Sequence, residues 1–411
     1  MAAMAVLAYK NRDDSGLAGC RPAALGDGTG MSVDSRDKKK LIFLVTEDWY
    51  FWSHRLPMAR AASRAGFEVA VATRVNAHGD RIRELGYALH PLRWQRGRIS
   101  PWASALAVIE IWRLYRREKP LIVHHVSLKP ALLGGIAARL AGVKRVVSMI
   151  TGTGYLGSAK RVPARIIAGL ARLLWPAILL SRRGWVIVQN EEDRRYFAAL
   201  RPEAAPRIVV IPGSGVDTVR FSPIPEPHAP PTVAAYAGRM IAIKGVADLV
   251  AAQQILRQRG LDLRLVLAGD VDAENPSSFR RDDLEAWNRL PGVSWRGRID
   301  DISALWREAH IAVQASLGGE GLPRSLLEAA SMARPIVATD VPGNRDIARD
   351  GVNAILVPPG DAHALATALA TLAGDAERRR LYGAAGRKLV ESLFSERHIE
   401  AATEAFYRGL F

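Results

Sequence analysis

The chain has 411 residues, of which 49% are hydrophobic and 24% charged, and this ordinary globular composition favours two domains of roughly 150 to 200 residues each. Its single cysteine, Cys20, excludes an intramolecular disulfide and a cysteine-based zinc site, which suits a reducing compartment. No apolar run approaches the ~20 residues of a membrane span and no signal peptide is evident, so we expect a soluble or peripheral protein. Its net charge of +16 requires an anionic partner.

The first 212 residues divide into a leader and one predicted domain. Residues 1–38 are rich in Gly, Ala and Asp without any period, so we expect a disordered leader, with Met31 as a candidate for the true start. From 39 to 212, helical stretches alternate with the apolar runs LIFLVT (41–46), EVAVAT (68–73), LIVHHV (121–126), RVVSMI (145–150), WVIVQN (185–190) and IVVIP (208–212). This alternation is typical of a parallel sheet covered on both faces.

The positive charge is concentrated in the second half of this domain. The 72 residues from Lys119 to Asn190 contain no Asp or Glu and eleven Lys or Arg. Within 161–183, Arg165, Arg172 and Trp175 accompany a long apolar face, which suits an amphipathic helix lying on an anionic membrane surface. An ordinary domain helix that buries the same face is the alternative. Nucleic acid is not predicted as a partner, because no zinc knuckle, RNP-like sequence or basic repeat is present.

A proline-rich segment separates this domain from a second one. Residues 213–232 contain five prolines and are predicted to be a stiff linker. The alternation then restarts over 233–392 with VAAYAG (233–238), LRLVLAG (263–269), VSWRG (293–297), IAVQAS (311–316), PIVAT (335–339) and AILVP (354–358). A helix over 393–411 is expected to pack back towards the N-terminal domain. Two doubly wound α/β domains leave a cleft at the carboxyl ends of their strands, where we expect the functional site.

The first chemically informative segment is GRMIAIKG (238–245), which follows a predicted strand and opens a helix. Arg239 and Lys244 lie five positions apart across this turn. Both cations can therefore converge on one anion beside a helix N-terminus, whose free N–H groups also favour phosphate. This arrangement suits a diphosphate, and the alternative is that both residues are solvated loop charges.

The second informative segment is EGLPRSLLE (320–328), which follows the strand 311–316 and a loop with two further glycines. Glycines let a backbone approach a ligand closely, and Pro323 suits the first turn of a helix. Glu328 lies about two turns along that helix, so Glu320 and Glu328 can grip two separated polyol groups. A capping glutamate and an exposed helical glutamate are the alternatives.

Together with ARPIVATDVPGNRD (333–346) and GVNAILVPPGD (351–361), these segments resemble the nucleotide-sugar-binding half of retaining glycosyltransferases of family 4, which have the GT-B fold. Upstream, TEDWYFWSHRLPMARAA (46–62), KPLIVHHVSLKPALLG (119–134) and SGVDTVRFSP (214–223) are similar to members that assemble bacterial surface polysaccharide or lipid-linked oligosaccharide. The resemblance runs from about residue 41 to 411. It implies two Rossmann-like α/β domains, for acceptor and nucleotide sugar, facing a cleft.

The resemblance also implies a role for each matching residue on the donor side. Arg239 and Lys244 would hold the donor diphosphate and compensate charge on the departing nucleotide, and Glu320 would contact hydroxyls of the transferred sugar. Because fixed cations stabilise the leaving group and bound hydroxyls orient the sugar, neither a protein nucleophile nor a metal nor another cofactor is expected.

Three further positions complete the expected donor site. The N–H groups around Gly321 and Leu322 would meet the distal phosphate, and Glu328 would accept hydrogen bonds from the ribose. The Asp270-Val271-Asp272 segment is more simply explained as a polar turn than as a metal-binding D-x-D motif, although Asp270 can lie near the nucleotide.

On the acceptor side, His124 or His125 matches the family's cleft histidine, and strand alternation puts the two on opposite faces without deciding between them. The first strand lacks the glycine-rich loop of many relatives and is followed instead by four consecutive aromatic residues that can bind sugar, touch lipid or fill the core. The acceptor and membrane candidates are Trp49, His54, Arg55, Lys129, Arg165, Arg172 and Trp175.

These features predict a retaining, metal-independent glycosyltransferase that uses a nucleotide diphosphate sugar, a UDP-sugar by preference. Its acceptor would be a polyprenyl-diphosphate-linked glycan or another glycolipid at the cytoplasmic face of a bacterial membrane. Two alternatives stay open at this point. One is an inactive GT-B scaffold in a membrane assembly complex, and the other is a soluble GT-B enzyme such as a sugar-nucleotide epimerase or a phosphorylase.

Overall fold

A computed structural model of the chain describes residues 39–94, 100–151, 178–228 and 230–411. The expected leader 1–38 and the expected membrane residues Arg165, Arg172 and Trp175 lie outside the described residues. Within the described part, no helix combines the length and apolar character that crossing a bilayer requires.

Among the described residues, the first domain is built on seven parallel strands in the order β3-β2-β1-β4-β5-β6-β7. The strands are β1 Lys39–Glu47, β2 Phe67–Arg74, β3 Ala88–Pro91, β4 Ile122–Val126, β5 Arg145–Met149, β6 Gly184–Val188 and β7 Ile208–Val210. The helices described around them are α1 Asp48–His54, α2 Leu56–Arg64, α3 Gly79–Glu84, α4 Pro101–Glu118, α5 Leu128–Ala141 and α6 Glu191–Leu200, with a 3-10 helix at Pro202–Arg207. Apolar side chains of β1 enter two different buried clusters, one on each face of the sheet.

The second domain is built on six parallel strands in the order β10-β9-β8-β11-β12-β13. The strands are β8 Thr232–Ala237, β9 Leu263–Ala268, β10 Val293–Trp295, β11 Ile311–Gln314, β12 Ile336–Thr339 and β13 Ala354–Val357. The helices are α7 Val246–Gln258, α8 Arg281–Asn288, α9 Ile302–Glu308, α10 Arg324–Ser331, α11 Pro342–Ile347, α12 Ala362–Gly374, α13 Ala376–Leu389 and α14 Glu396–Arg408. A 3-10 turn at Ala242–Lys244 precedes α7, and a π turn at Val390–Phe394 precedes α14. The expected class of two doubly wound α/β domains is confirmed.

Strand order places the loops of the site. In the second sheet β8 lies between β9 and β11, so the chain changes direction across the sheet between β8 and β11. These two strands pair directly, with Ala234 opposite Ile311. Their carboxyl-end loops therefore open side by side into the crevice where α/β sheets bind ligands.

The proline-rich segment packs against the second domain. Val216 and Phe221 are buried in that domain's core. The Arg334 guanidinium donates to the carbonyl oxygens of Ile224 and Pro225, and Arg379 forms an ion pair with Glu226 at 3.0 Å. Because prolines cannot donate backbone hydrogen bonds, side-chain cations that bind the free carbonyl groups help to fix this segment.

Helix α14 crosses back from the second domain and packs on the first. Its residues Ile399 and Tyr407 are completely buried in the cluster formed by β1, β4 and α2. Arg64 of α2 also pairs with Glu400 at 2.8 Å and with Glu404 at 3.0 Å. The core of the first domain is therefore completed by a helix that follows the second domain in sequence.

Edge strand β3 was not expected from the sequence. Its four residues, ALHP, alternate poorly and are all at least partly exposed. A short edge strand pairs on one side and needs no apolar run, and proline is tolerated there. It forms because β2, already in the sheet, offers a free edge to pair with.

Candidate active site

Lys244 and Glu320 meet at the carboxyl ends of β8 and β11. The Lys244 Nζ atom lies 2.5 Å from Glu320 Oε1, although the residues are 76 positions apart. Gly245, with φ of +65°, ends the 3-10 turn that carries Lys244, and a Cβ there would overlap the carbonyl oxygen of Ala315. Glycine at this position therefore lets the two loops touch, which brings the ammonium and the carboxylate together.

The Glu320 carboxylate is held by three donors. Besides Lys244, the Ser316 hydroxyl and the Gln314 amide donate to the same oxygen, the latter at 3.0 Å. Burial alone would raise the pKa of Glu320, but the charge and hydrogen bond of Lys244, with the Ser316 and Gln314 bonds, hold it below the ordinary value. Glu320 is therefore ionised at neutral pH and can accept hydrogen bonds but not supply a proton.

Arg239 is paired with an acidic neighbour, Asp272. Its Nη1 atom lies 2.9 Å from Asp272 Oδ2, and about half of the side chain is exposed. Asp270, two positions before, accepts a hydrogen bond from Arg281 at 3.2 Å. The D-x-D segment is therefore paired with arginines. In the described residues, no group of three or more His, Cys, Asp or Glu is arranged to hold a metal ion.

Gly321 brings the second domain against the first. A Cβ on Gly321 would overlap Gln189 Oε1 and would lie 2.8 Å from the carbonyl oxygen of Thr151, both in the first domain. The neighbouring Leu322 packs on Gly213, whose added Cβ would lie 3.1 Å from the leucine Cδ2. The loop that carries Glu320 is thus seated directly on the wall of the first domain.

Glu328 lies one turn after Arg324 on α10, and Arg324 is not among the residues predicted from the sequence. Its carboxylate accepts a hydrogen bond from Arg324 at 2.9 Å, and the residue is 7% exposed. Burial raises the pKa of Glu328, and the nearby Arg324 opposes this shift only in part. The i, i+4 spacing of Arg324 and Glu328 is the sequence signal that identifies the pair.

The expectation that His124 or His125 faces the cleft does not hold. Both side chains are completely buried inside β4. His124 Nδ1 bonds the Tyr407 hydroxyl of α14 at 2.5 Å, and His125 Nε2 bonds the Tyr115 hydroxyl of α4 at 3.1 Å. The two rings do point to opposite faces of the sheet, but both faces of a central parallel strand are covered by other elements. Burial therefore holds the pKa of each histidine below its ordinary value.

The aromatic run after β1 forms part of the cleft wall. The His54 ring stacks on Tyr50 at 4.5 Å between centroids. Burial, then the charges of Arg324, Arg55 and Arg239, hold the pKa of His54 well below its ordinary value, so the ring is neutral and lies near cations of both domains. Trp49 lines a cavity of about 240 Å³ with Glu47, Arg74, Asn76, Asp272 and Glu274. Arg74 pairs across it with Glu274 at 2.9 Å.

Lys129 lies at the first turn of α5, beside a larger groove. Its Nζ is 6.0 Å from the centroid of the Trp94 ring, and burial lowers its pKa. The groove measures about 780 Å³ and runs between β3 and α4, from Trp94 and Lys129 to His90 and Arg117. Lys129 therefore lies on a surface of mixed apolar and cationic character, where the charges of Glu274 and Glu47 partly oppose the effect of burial on its pKa.

Known proteins match both domains. The family described as Glycosyl transferase 4-like matches residues 40–177, and the family described as Glycosyl transferases group 1 matches residues 231–375. The putative glycosyltransferase EpsD of Bacillus subtilis is 28% identical over 388 residues, which cover 90% of this chain and 96% of that protein. A UDP-Gal:alpha-D-GlcNAc-diphosphoundecaprenol alpha-1,3-galactosyltransferase of Escherichia coli is 27% identical over 284 residues, 66% of this chain and 70% of that protein.

Solved structures share the fold. HepE of Anabaena, determined in complex with UDP and glucose, has a TM-score of 0.71 at 17% identity and covers 90% of this chain and 100% of its own. Sucrose-phosphate synthase of Thermosynechococcus elongatus has a TM-score of 0.75 at 21% identity and covers 91% of this chain and 99% of its own.

Proposed function

The chain belongs to the family 4 glycosyltransferases of the GT-B fold, and from this premise we propose that it transfers a sugar, with retention, from a UDP-sugar to a lipid-linked acceptor. The acceptor is a polyprenyl-diphosphate-linked glycan or a related glycolipid used in surface polysaccharide assembly, at the cytoplasmic face of the membrane. The observation that carries the proposal is the buried Lys244–Glu320 pair at the junction of the two domains.

The donor site uses charges that are already paired in the protein. Lys244 and Arg239 are balanced by Glu320 and Asp272, so a diphosphate approaches cations whose positions are fixed by carboxylates. Preorganised cations stabilise the negative charge that develops on a departing diphosphate without moving during the reaction. The UDP in the HepE complex and the UDP-Gal in the name of the E. coli relative support UDP as the nucleotide.

Glu320 suits sugar binding better than covalent catalysis. Its Oε1 atom already accepts three hydrogen bonds, and its lowered pKa keeps it ionised. We therefore assign it to hydroxyls of the transferred sugar. The bond from the anomeric carbon to the diphosphate breaks as the acceptor oxygen bonds to that carbon on the same face, and the acceptor proton passes to a departing phosphate oxygen. This chemistry requires neither a protein nucleophile nor a metal.

The outer face of α4 supports a membrane-bound acceptor. Trp102, Leu106 and Ile109 are 74%, 51% and 42% exposed, at spacings that place them on one side of the helix. The exposed Arg113 and Arg116 follow on the same helix. Apolar side chains that enter a lipid boundary and arginines that meet its phosphates suit an anionic leaflet. The groove between β3 and α4 borders this face.

A panel of nucleotide sugars tests the proposal. Calorimetry with UDP-, GDP- and ADP-sugars should show binding of a UDP-sugar, and binding to the native state should raise the melting temperature with ligand concentration. Radiolabelled sugar should then pass from that donor to lipid in anionic vesicles that contain polyprenyl-diphosphate-linked N-acetylglucosamine. Binding without transfer to any lipid would favour a soluble enzyme, and absence of binding would favour an inactive scaffold.

A further inference from the structure

Three hydroxyl groups cluster on the first domain where it faces the Glu320 loop. They belong to Tyr50 of α1, Ser127 at the end of β4, and Thr151 just beyond β5. The Ser127 and Thr151 oxygens are 3.1 Å apart. Burial alone would raise the pKa of Tyr50, but the charge and hydrogen bond of Arg55, with hydrogen bonds from Thr151 and Ser127, hold it below its ordinary value. Three separate elements thus bring their hydroxyls to one point at the carboxyl edge of the first sheet.

Beneath this cluster lies a buried guanidinium. Arg55 is 1% exposed, and its Nη2 atom donates to the Tyr50 oxygen at 3.0 Å. Its Nε atom has no hydrogen-bond partner in the described part of the chain, and none of the ion pairs found there includes Arg55. Burying a cation without a counter-charge costs free energy. The presence of Arg55 here therefore indicates that the Tyr50 oxygen, which Arg55 polarises, has a functional role.

Ser127 adopts a backbone conformation that residues with a Cβ rarely occupy. Its φ is 72° and its ψ is 170°, a region populated almost entirely by glycine. Two hydrogen bonds fix this geometry. The Ser127 N–H donates to the Met149 carbonyl oxygen at 2.8 Å, and the Ala131 N–H donates to the Ser127 carbonyl oxygen at 3.0 Å. Strain of this kind concentrates at functional sites, and here it presents a hydroxyl where glycine would be easier.

The cluster is adjacent to the donor side. Gly321, next to Glu320, would carry any Cβ to 2.8 Å from the carbonyl oxygen of Thr151. His54 stacks on Tyr50, and besides burial, the charges of Arg324 and Arg239 of the second domain contribute to its lowered pKa. The cluster therefore borders the loop that carries Glu320, the residue assigned to the transferred sugar.

We infer that Tyr50, Ser127 and Thr151 form the subsite for the attacking hydroxyl of the acceptor, an inference that rests on the proposed function. The Tyr50 hydroxyl, whose oxygen accepts a hydrogen bond from Arg55, donates to the oxygen of the incoming hydroxyl, so the proton of that hydroxyl stays free to pass to the departing phosphate oxygen. Ser127 and Thr151 orient the incoming hydroxyl, because hydroxyls can both donate and accept. Arg55 acts through Tyr50 and is a positioning residue. This subsite occupies the role that the sequence had suggested for His124 or His125.

Hydrolysis of the donor tests the subsite without knowledge of the acceptor, because water is the simplest hydroxyl compound that it can hold. The probe is the UDP-sugar that binds most tightly in the nucleotide-sugar panel. In Tyr50→Phe, which keeps the ring stacked on His54, release of UDP should fall about tenfold or more while the donor Kd is unchanged. Tyr87→Phe, at a partly buried tyrosine elsewhere in the first domain, is the matched control and should behave as wild type.

Ser127→Gly supplies a second, opposed readout. Glycine relieves the positive φ and should raise the melting temperature, yet removal of the hydroxyl should lower UDP release. Unchanged hydrolysis in Tyr50→Phe, or a Kd that weakens in parallel with the rate, overturns the subsite. A wild-type protein that binds no nucleotide sugar contradicts the proposed function instead, so the two failures are distinguishable.

Discussion

The ammonium of Lys244 lies 2.5 Å from the carboxylate of Glu320, and the two side chains are only 19% and 8% exposed. Each residue therefore compensates a charge that would be costly to bury alone. The pair lies where the neighbouring strands β8 and β11 of the second sheet end and where Gly321 contacts the first domain.

Lys244→Ala should abolish transfer and also destabilise the protein, because it leaves Glu320 ionised and unpaired in a buried site. We expect a stability loss of about 3 kcal/mol in chemical denaturation and a rate reduction of at least ~100-fold. The double variant Lys244→Ala with Glu320→Gln should recover most of the stability and none of the activity. Recovery of activity in the double variant would show that the pair is only structural.

The stability of the wild type relative to Glu320→Gln should depend on pH. Because the pKa of Glu320 is lowered below its ordinary 4.5 in the folded state, the carboxylate contributes stability above that pH. The contribution is lost as the pH falls through the folded value, so the two proteins should converge in strongly acidic urea titrations. A difference that grows as the pH falls below 4.5 would contradict the assigned direction of the shift.

Asp272→Asn should strengthen nucleotide binding. Asp272 holds Arg239 at 2.9 Å and competes with a diphosphate for the same guanidinium. Neutralising the aspartate should tighten UDP binding severalfold in calorimetry, whereas Arg239→Ala should weaken it about tenfold. Arg239 is half exposed, so melting temperatures should change little in either variant. Equal Kd values in all three proteins would remove Arg239 from the donor site.

Glu328→Gln should erase discrimination between ribose and deoxyribose. If the buried carboxylate accepts hydrogen bonds from the ribose, the wild type should bind UDP more tightly than 2′-deoxy-UDP by about tenfold. The glutamine variant should bind the two alike. Arg324 stays in place as the neighbouring cation, so a uniform loss of affinity for both ligands would instead indicate a purely structural Glu328.

Trp102→Glu and Ile109→Glu on α4 should reduce flotation with vesicles that contain anionic phospholipid. These side chains are exposed on the face proposed to enter the lipid boundary, and a carboxylate there is both hydrated and repelled. Leu381→Glu is the control, because Leu381 is 53% exposed on α13 of the second domain. Transfer to a water-soluble acceptor analogue should be unaffected. Flotation equal to wild type would move the membrane surface elsewhere.

Chelation tests the proposed independence from metal. Transfer should continue at an unchanged rate after dialysis against EDTA, because Lys244 and Arg239 supply the positive charge at the leaving diphosphate. Loss of activity that returns with added Mg²⁺ or Mn²⁺ would show that a cation completes the site.

The sequence predicts the strands well, because a parallel strand covered on both faces must be apolar along its whole length. It also predicts that Lys244 and Glu320 belong to one site, since both follow strands at the same edge. It does not predict their contact, which depends on the pairing of β8 with β11. For His124 and His125, alternation gives opposite faces correctly but cannot reveal that Tyr407 and Tyr115 cover them.

The hydroxyl cluster cannot be predicted from sequence patterns. Tyr50, Ser127 and Thr151 follow three different strands and form no motif along the chain. Their proximity is set by the order β1-β4-β5, which makes the ends of three strands neighbours. The strain at Ser127 is likewise a property of the folded backbone and leaves no trace in residue type.

The return of α14 to the first domain bears on how the protein is made. A ribosome finishes the seven strands of the first sheet long before it reaches Ile399 and Tyr407, whose side chains fill that sheet's core. Until then His124 lacks its hydroxyl partner and the apolar side of α2 stays uncovered. The domain that is synthesised first is therefore completed last, and its apolar surface for α14 stays uncovered throughout synthesis of the second domain.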